Sequence, residues 1–222
     1  LNFGVAGYGT DQAYLLFREI GHKYSADDVI LLFYGNDLWN NAASRGIGLE
    51  RGYKPFFRPR KSGNLELHGV PVRRSSYWDY DQSKQDGIDT RLEQYFRNNW
   101  HLYVLLRKSL NYNATNRQNS DFYDGLYGED VQSRWSHLWE LTGLIIGEFS
   151  TFVENLGATF HLVYVPSIVQ VELDDWEKKK DLHGLVGSYD LNKPNLRLKS
   201  IASKYGQNLI DLYPSFLKEV EE

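Results

Sequence analysis

Residues 28–34 read DVILLFY, a nearly continuous apolar run without the alternation of polar residues that a half-exposed strand shows. Its length is that of a strand, and an unbroken apolar strand is typical of a parallel sheet covered on both faces. A second run of this kind, FHLVYVP, occupies residues 160–166. We therefore predict that the chain folds around a buried parallel sheet.

Helical and strand patterns alternate around these two runs. LNFGVA at residues 1–6 is interpreted as a short buried strand, and the helical pattern after it gives a strand-helix-strand unit within 34 residues. Later come a long helix ended by Gly157, a helix ended by Gly206, a strand at 207–214 and a charged tail, SFLKEVEE. Such an order predicts a three-layer α/β sandwich with a doubly wound parallel sheet.

Residues 42–134 interrupt this pattern and are predicted to be a long insertion after the second strand. Within it, KPFFRPRKSGNLELHGVPV resembles a hairpin with KSGN as its turn, residues 90–110 resemble a helix, and residues 112–130 resemble a polar loop. An insertion at this position can form a lid over a substrate cleft. Its aromatic residues, which include Trp78 and Trp100, could stack on sugar rings, line an acyl pocket or pack the insertion onto the domain.

Composition excludes several classes of function. A net charge of −4 argues against nucleic acid or an anionic membrane as the main partner. No apolar run approaches the roughly 20 residues that cross a bilayer. The chain has no cysteine and no His-x-x-x-His pattern, so we expect neither a metal site nor another cofactor.

Two short motifs stand where their strands end, at the edge where open parallel sheets bind ligands. GVAGYGT at residues 4–10 offers main-chain N–H groups beside the start of a helix, and YGND at residues 34–37 offers the Asn36 amide, a donor without a titrating charge. Either motif could also be an ordinary tight turn, with Asn36 and Asp37 capping the second one. If functional, the two motifs together would hold a developing negative oxygen.

The pair of motifs resembles two sequence blocks of the SGNH (GDSL-type) hydrolase superfamily. NFGVAGYGTDQ is similar to the glycine block, and YGND is similar to the Gly-x-Asn-Asp block, with Tyr34 in place of its first glycine. LVYVPS and the stretch from DLNKPN to LYPSF are similar to later elements of the family. The resemblance implies a flavodoxin-like single domain over residues 1–222, with Gly7 N–H and the Asn36 side chain as oxyanion-hole donors.

Two blocks of the family are absent. The chain contains no Gly-Asp-Ser sequence, and none of its six histidines follows an aspartate by three residues. In the family the strand that carries the nucleophilic serine lies between the two strands that open this chain, so its absence would leave two long apolar edges in the middle of the sheet. We therefore expect a domain incomplete at both ends, with the serine before Leu1 and the Asp-x-x-His block after Glu222.

The resemblance implies a serine ester hydrolase that cleaves an O-acyl ester of a carbohydrate or lipid. Tyr8 and Trp39 are candidate substrate-facing residues, and the family favours a bacterial, extracytoplasmic protein. An O-acyltransferase on the same scaffold, a non-catalytic binding domain that has lost its nucleophile and base, and a nucleotide-binding α/β protein remain alternatives.

Overall fold

The computed structural model describes residues 1–44, 53–72, 121–129 and 133–221. The strands in these ranges are β1 (Asp28–Phe33), β2 (Phe56–Pro59), β3 (Leu65–His68), β4 (Thr159–Tyr164) and β5 (Leu209–Asp211). The helices, besides a 3₁₀ turn at Gly21–Tyr24, are α1 (Thr10–Glu19), α2 (Asp37–Ala42), α3 (121–127), α4 (Ser133–Asn155), α5 (Ile168–Val171), α6 (Leu173–His183), α7 (Lys193–Lys204) and α8 (Tyr213–Glu221).

Strands β1, β4 and β5 form a parallel sheet in the order β1-β4-β5. The register places Val29 opposite Phe160 and Leu31 opposite Leu162, which itself lies opposite Leu209. The long helix α4 contacts β4 and lies between α1 and α7 in the helical layer. The prediction of a mixed α/β fold with a parallel sheet is therefore confirmed.

The two faces of this sheet differ in cover. Val29, Leu31 and Phe33 are buried in the core beneath the layer of α1, α4 and α7. Ile30 and Leu32, which point to the other face, are 62% and 61% exposed. The expectation that the DVILLFY strand is covered on both faces is therefore wrong for the described residues, because Ile30 and Leu32 stay exposed.

Residues 1–9 contain no strand, so the interpretation of LNFGVA as a buried strand, and of a strand-helix-strand unit, is wrong. Leu1 is 93% exposed, and Gly4 N donates locally to the side chain of Asn2 at 2.8 Å. A segment becomes a strand only when a neighbour satisfies its main-chain groups, and within the described chain β1 pairs with β4 alone. Local side-chain bonding takes the place of a ladder here.

The described parts of the insertion give one confirmation and one correction. Strands β2 and β3 pair antiparallel around the KSGN turn, where Gly63 has a φ of +85°, so the hairpin prediction is confirmed. The predicted polar loop at 112–130 is wrong over 121–127, which are helical because Leu126 and Tyr127 insert into the core. The predicted helix at 90–110, which includes Trp100, lies outside the described residues, and so does Trp78.

The end of the chain also differs from its prediction. The SFLKEVEE segment is interpreted from sequence as a charged tail, but its residues 215–221 belong to helix α8. Its apolar residues recur at helical spacing, which the charges between them obscure. The predicted ends of α4 and α7 are confirmed, because Gly157 and Gly206 take φ values of +82° and +70° just after each helix.

A buried network of polar side chains joins the ends of β4 and β5. Gln170 Oε1 accepts from Tyr164 Oη at 2.5 Å and from Ser167 N at 3.1 Å, and Gln170 Nε2 donates to Leu191 O at 2.7 Å and to Asn195 Oδ1 at 3.1 Å. Asn195 Nδ2 then donates to Asp211 Oδ2 at 2.7 Å. This set, called the Gln170 network below, ties α5 and α7 to the sheet.

Candidate functional site

The YGND turn follows β1 directly and leads into α2. Gly35 has a steric reason to be glycine, because a Cβ built at this position would lie 2.7 Å from Leu126 Cδ2. Asn36 is the N-cap residue of α2, but its backbone is helical, its side chain is exposed and it makes no side-chain capping bond. The structure therefore gives no support to the alternative in which Asn36 serves only as a cap.

The glycine turn precedes α1. Gly7 takes a φ of +82°, which only glycine adopts readily. A Cβ built at Gly9, the N-cap residue of α1, would lie 2.7 Å from Asn40 Cβ and 2.9 Å from Asn41 Oδ1. The first glycine is thus required by the backbone, and the second by the close approach of the turn to α2.

Side-chain hydrogen bonds join the two turns. Thr10 Oγ1 donates to Asp37 Oδ2 at 3.2 Å, and Asn40 Nδ2 donates to Gly7 O at 3.4 Å. Asn40 is 2% exposed, and within the described residues its Oδ1 atom receives no hydrogen bond. The structure therefore brings the glycine turn and the YGND turn together at one end of β1.

Charged side chains are buried beneath the glycine turn. Asp11, fully buried in α1, forms an ion pair with Lys54, which lies just before β2 and is 5% exposed. Asp11 N donates to Asn41 Oδ1 at 3.0 Å, and Asn41 Nδ2 donates to Thr142 Oγ1 of α4 at 3.0 Å. These side chains are called the turn cluster below: Thr10, Asp11, Asp37, Asn40, Asn41 and Lys54.

Burial governs the protonation of this cluster. Burial raises the pKa of the Asp37 carboxyl to about 7, although the hydrogen bond from Thr10 opposes the rise. Burial also raises the pKa of Asp11, against the opposing effect of the Lys54 ammonium, and it lowers the pKa of Lys54. Perturbed pKa values of this kind are concentrated at functional sites, although structural ion pairs produce them too.

A groove of about 380 Å³ runs along the edge of β1. One wall is the N-terminal segment Leu1–Val5, the other is β1 itself, and Tyr8 and Asp37 line it as well. Within the described chain the β1 edge on this side has no strand partner. The groove, called the β1 groove below, thus combines an open row of main-chain donors and acceptors with mostly apolar walls.

The two candidate substrate residues lie in different surroundings. Tyr8 is half-buried and lines both the β1 groove and a smaller cleft beside Leu15 and Pro55. Trp39 is also half-buried and packs edge-on against Trp135, with ring centroids 4.9 Å apart. Tyr8 is therefore open to a bound molecule at the groove, whereas part of Trp39 serves the packing of α2 on α4.

Sequence reasoning identified Gly7 and Asn36 but missed the buried charges between them. In the sequence, Lys54 belongs only to the stretch predicted as a hairpin, and Asp37 is predicted only as a cap. A sequence signal existed for Asp37, since it lies beside Asn36 in YGND. The pairing of Lys54 with Asp11 spans 43 positions and has no local signature.

Among the described residues, no group of three or more histidine, cysteine, aspartate or glutamate side chains is arranged to hold a metal ion. In the same residues, no helix combines the length and apolar character needed to cross a membrane.

Comparison with known proteins identifies no relative. No family model, no curated protein and no solved structure matches this chain.

Proposed function

We propose that residues 1–222 form the oxyanion-hole part of a serine ester hydrolase of the SGNH type. The observation that carries this proposal is the junction of the two turns, through Thr10 with Asp37 and Asn40 with Gly7. Two motifs separated by a helix in sequence thus meet at one end of a parallel strand, where α/β sheets bind their ligands. The finer fold proposed with it is a three-layer, doubly wound, flavodoxin-like domain.

The β1 groove suggests where the strand that carries the nucleophilic serine would bind. A parallel strand lying in the groove would satisfy the open main-chain edge of β1 and cover its apolar walls. A serine at the carboxyl end of such a strand would stand beside the glycine turn and the YGND turn. We propose that residues outside 1–222 supply this strand, and that a further segment outside the same range supplies the Asp-x-x-His block.

In the proposed reaction, the serine hydroxyl attacks the ester carbonyl, and the histidine takes the hydroxyl proton. The carbonyl oxygen becomes an oxyanion, to which Gly7 N–H, Asn36 Nδ2 and the serine N–H donate. Collapse of the tetrahedral intermediate breaks the ester C–O bond, and the histidine returns the proton to the leaving alcohol. Water then hydrolyses the acyl-enzyme by the same steps; with an alcohol as acceptor the reaction is acyl transfer.

A carbohydrate or lipid O-acyl ester is the proposed substrate class. Tyr8 in the groove and Trp39 after the YGND turn are the proposed substrate-facing residues, with the 42–134 insertion as a lid. The proposed reaction needs no cofactor, and the proposed location of the protein is extracytoplasmic in a bacterium.

A non-catalytic binding domain is the second candidate, favoured by the lack of Gly-Asp-Ser and Asp-x-x-His sequences in the chain. A fluorophosphonate probe applied to the intact protein separates the two candidates, since only an activated serine is labelled. Labelling at a serine outside residues 1–222 is expected. An intact protein that contains both blocks and takes no label would contradict the hydrolase.

The role of Asn36 has its own test in the intact protein. Asn36→Ala should lower kcat for p-nitrophenyl acetate by about 10²–10³-fold, the loss typical of one oxyanion donor. Asn208→Ala removes an exposed amide from the segment before β5 and serves as the matched control. Equal activities of the two variants would exclude Asn36 from the oxyanion hole.

A further inference from the structure

The position of Lys54 is unusual for a lysine. It lies in the segment that leads into the hairpin, where its backbone N donates to Ser44 O at 3.2 Å, yet its side chain is 4% exposed. The ammonium group ends at the carboxylate of Asp11, which is fully buried. Lysine side chains are rarely buried without a specific partner, so this contact determines where the Lys54 side chain lies.

Asp11 connects this ammonium group to the glycine turn. One carboxylate oxygen, Oδ2, contacts Lys54, while Oδ1 accepts from Gln12 N at 2.8 Å in the first turn of α1. A Cβ built at Gly9 would lie 3.0 Å from the same Oδ1 atom, so the carboxylate packs directly against the turn. The Asp11 carboxylate thus lies against Gly9, two residues after Gly7 in the glycine turn.

The charges around this pair come from several elements. Helix α2 contributes Asp37, whose pKa the charge of Asp11 helps to raise, and α4 contributes the neutral hydroxyl of Thr142 through Asn41. Among the described side chains, Lys54 is the cation that forms an ion pair with Asp11. Without it, Asp11 would be a buried carboxylate with no compensating charge.

We propose that Lys54 is a positioning residue for the candidate active site. It holds the Asp11 carboxylate in place and thereby fixes the direction of the Gly7 main-chain N–H. The hairpin segment is thus part of the site, although it supplies no reacting atom. The role of the Gly7 N–H as an oxyanion donor rests on the proposed function. The positioning of the turn by Lys54 can be measured whether or not the protein is an esterase.

Hydrogen exchange of the glycine-turn peptide in the intact protein tests the positioning. The variants are Lys54→Met, Lys54→Met combined with Asp11→Asn, and Lys61→Met as an exposed hairpin control. Leu198→Ala, a buried residue of α7, controls for a general loss of stability. Rates are divided by the intrinsic exchange rate at each pH, and the Lys54→Met and Leu198→Ala proteins are compared at matched thermal stability.

We expect Lys54→Met to speed exchange of this peptide about tenfold or more at pH 8, because the variant leaves the buried Asp11 carboxylate without a compensating charge. At pH 5.5 the difference from wild type should shrink, since a protonated Asp11 needs no cation. Adding Asp11→Asn should remove this pH dependence; Asp37 is present in both proteins, so its titration does not distinguish them. An equal effect at both pH values, or an effect matched by Leu198→Ala, would overturn the proposal.

Ester hydrolysis provides a separate readout. If the wild-type protein hydrolyses p-nitrophenyl acetate, Lys54→Met at pH 8 should lower kcat about tenfold with KM unchanged, since an oxyanion donor acts in the transition state. Unchanged kcat in that variant would overturn the proposal even if exchange increased. A wild-type protein without esterase activity would instead contradict the proposed function, and the exchange experiment would still decide the role of Lys54.

Discussion

The Gln170 network and the turn cluster are both buried and polar, and both lie at strand ends, yet they are built differently. In the Gln170 network, neutral groups dominate, and Gln170 uses both its oxygen and its amide nitrogen. In the turn cluster, an ion pair and a second carboxyl group are buried together, and Asn40 Oδ1 has no donor among the described residues. The cluster also borders an open groove.

The difference separates a structural polar cluster from a candidate functional one. A fully bonded neutral network in a protein interior makes the surrounding packing specific and rigid. Buried carboxyl groups with raised pKa values lower stability at neutral pH. Their presence beside a groove is typical of a functional site, in which the carboxyl groups or the turn they support contact a ligand. The first network should thus respond to substitution through stability alone, and the second through stability that depends on pH.

The largest effect is expected in the Gln170 network. Gln170→Leu removes the partner of four groups in the interior: Tyr164 Oη, Ser167 N, Leu191 O and Asn195 Oδ1. Each unsatisfied group costs about 1–3 kcal/mol. We expect a loss of about 3–4 kcal/mol in the free energy of unfolding, equal at pH 5.5 and pH 8, measured by urea denaturation. Gln207→Leu, whose bond to Glu154 is exposed, is the control and should cost far less. A strong pH dependence of the Gln170→Leu effect would remove the contrast between the two clusters.

Asp37 should make stability depend on pH. Its pKa in the folded protein is about 7, against an ordinary value of 3.8. Because the folded-state pKa is raised, its favourable contribution is complete below about pH 4 and is lost as the pH rises through 7. Asp37→Asn should therefore flatten the stability profile and add on the order of 2 kcal/mol at pH 8, since one pKa unit is about 1.4 kcal/mol.

Urea denaturation between pH 5 and pH 8 measures this effect. Asp174→Asn, which removes an exposed carboxylate from α6, is the control and should leave the profile parallel to that of the wild type. Part of the slope should remain in Asp37→Asn, because burial also raises the pKa of Asp11. A slope equal to that of the wild type would show that the carboxyl at 37 does not titrate in this range.

Gly9 tests the close approach of the glycine turn to α2. Gly9→Ala places a methyl group against Asn40 and Asn41, and such overpacking costs typically about 1–3 kcal/mol. Gly143→Ala in α4 is the matched control, because a Cβ there would meet Ile201 at an ordinary 3.4 Å. The control should be neutral or stabilising, since alanine favours a helix interior. Equal stabilities of the two variants in thermal unfolding would mean that the turn relaxes freely.

The smallest effect is expected at the exposed ion pair of the hairpin. Arg60 Nη2 lies 2.9 Å from Glu66 Oε1, and both side chains are well exposed. Solvent and salt screen such a pair, so Arg60→Ala should leave the unfolding temperature unchanged within error. Lys54→Met, a few residues earlier in the same segment, should lower it clearly. A similar drop in both variants would mean that burial does not distinguish the two cations.

The sequence was sufficient for the elements with strong local patterns. The apolar runs at 28–34 and 160–166, the helix-stopping glycines and the KSGN hairpin all follow from short-range chemistry, and the structure confirms them. The LNFGVA strand failed because strand formation depends on a partner that local sequence does not reveal. Gly7 and Asn36 were found through their motifs, whereas the contact of Lys54 with Asp11 depends on tertiary folding. The role of Gly7 and Asn36 as oxyanion donors stays a prediction.

The open edge of β1 has a consequence for handling the protein. The strand DVILLF combines high β-propensity with a single charge and contains neither glycine nor proline, the composition from which fibril spines are built. Its exposed side chains Ile30 and Leu32 would add an apolar, aggregation-prone surface wherever no strand is bound in the groove. A strand bound in the groove would therefore protect the protein from aggregation. Protein without such a strand should be kept cold and at low concentration, and used soon after purification.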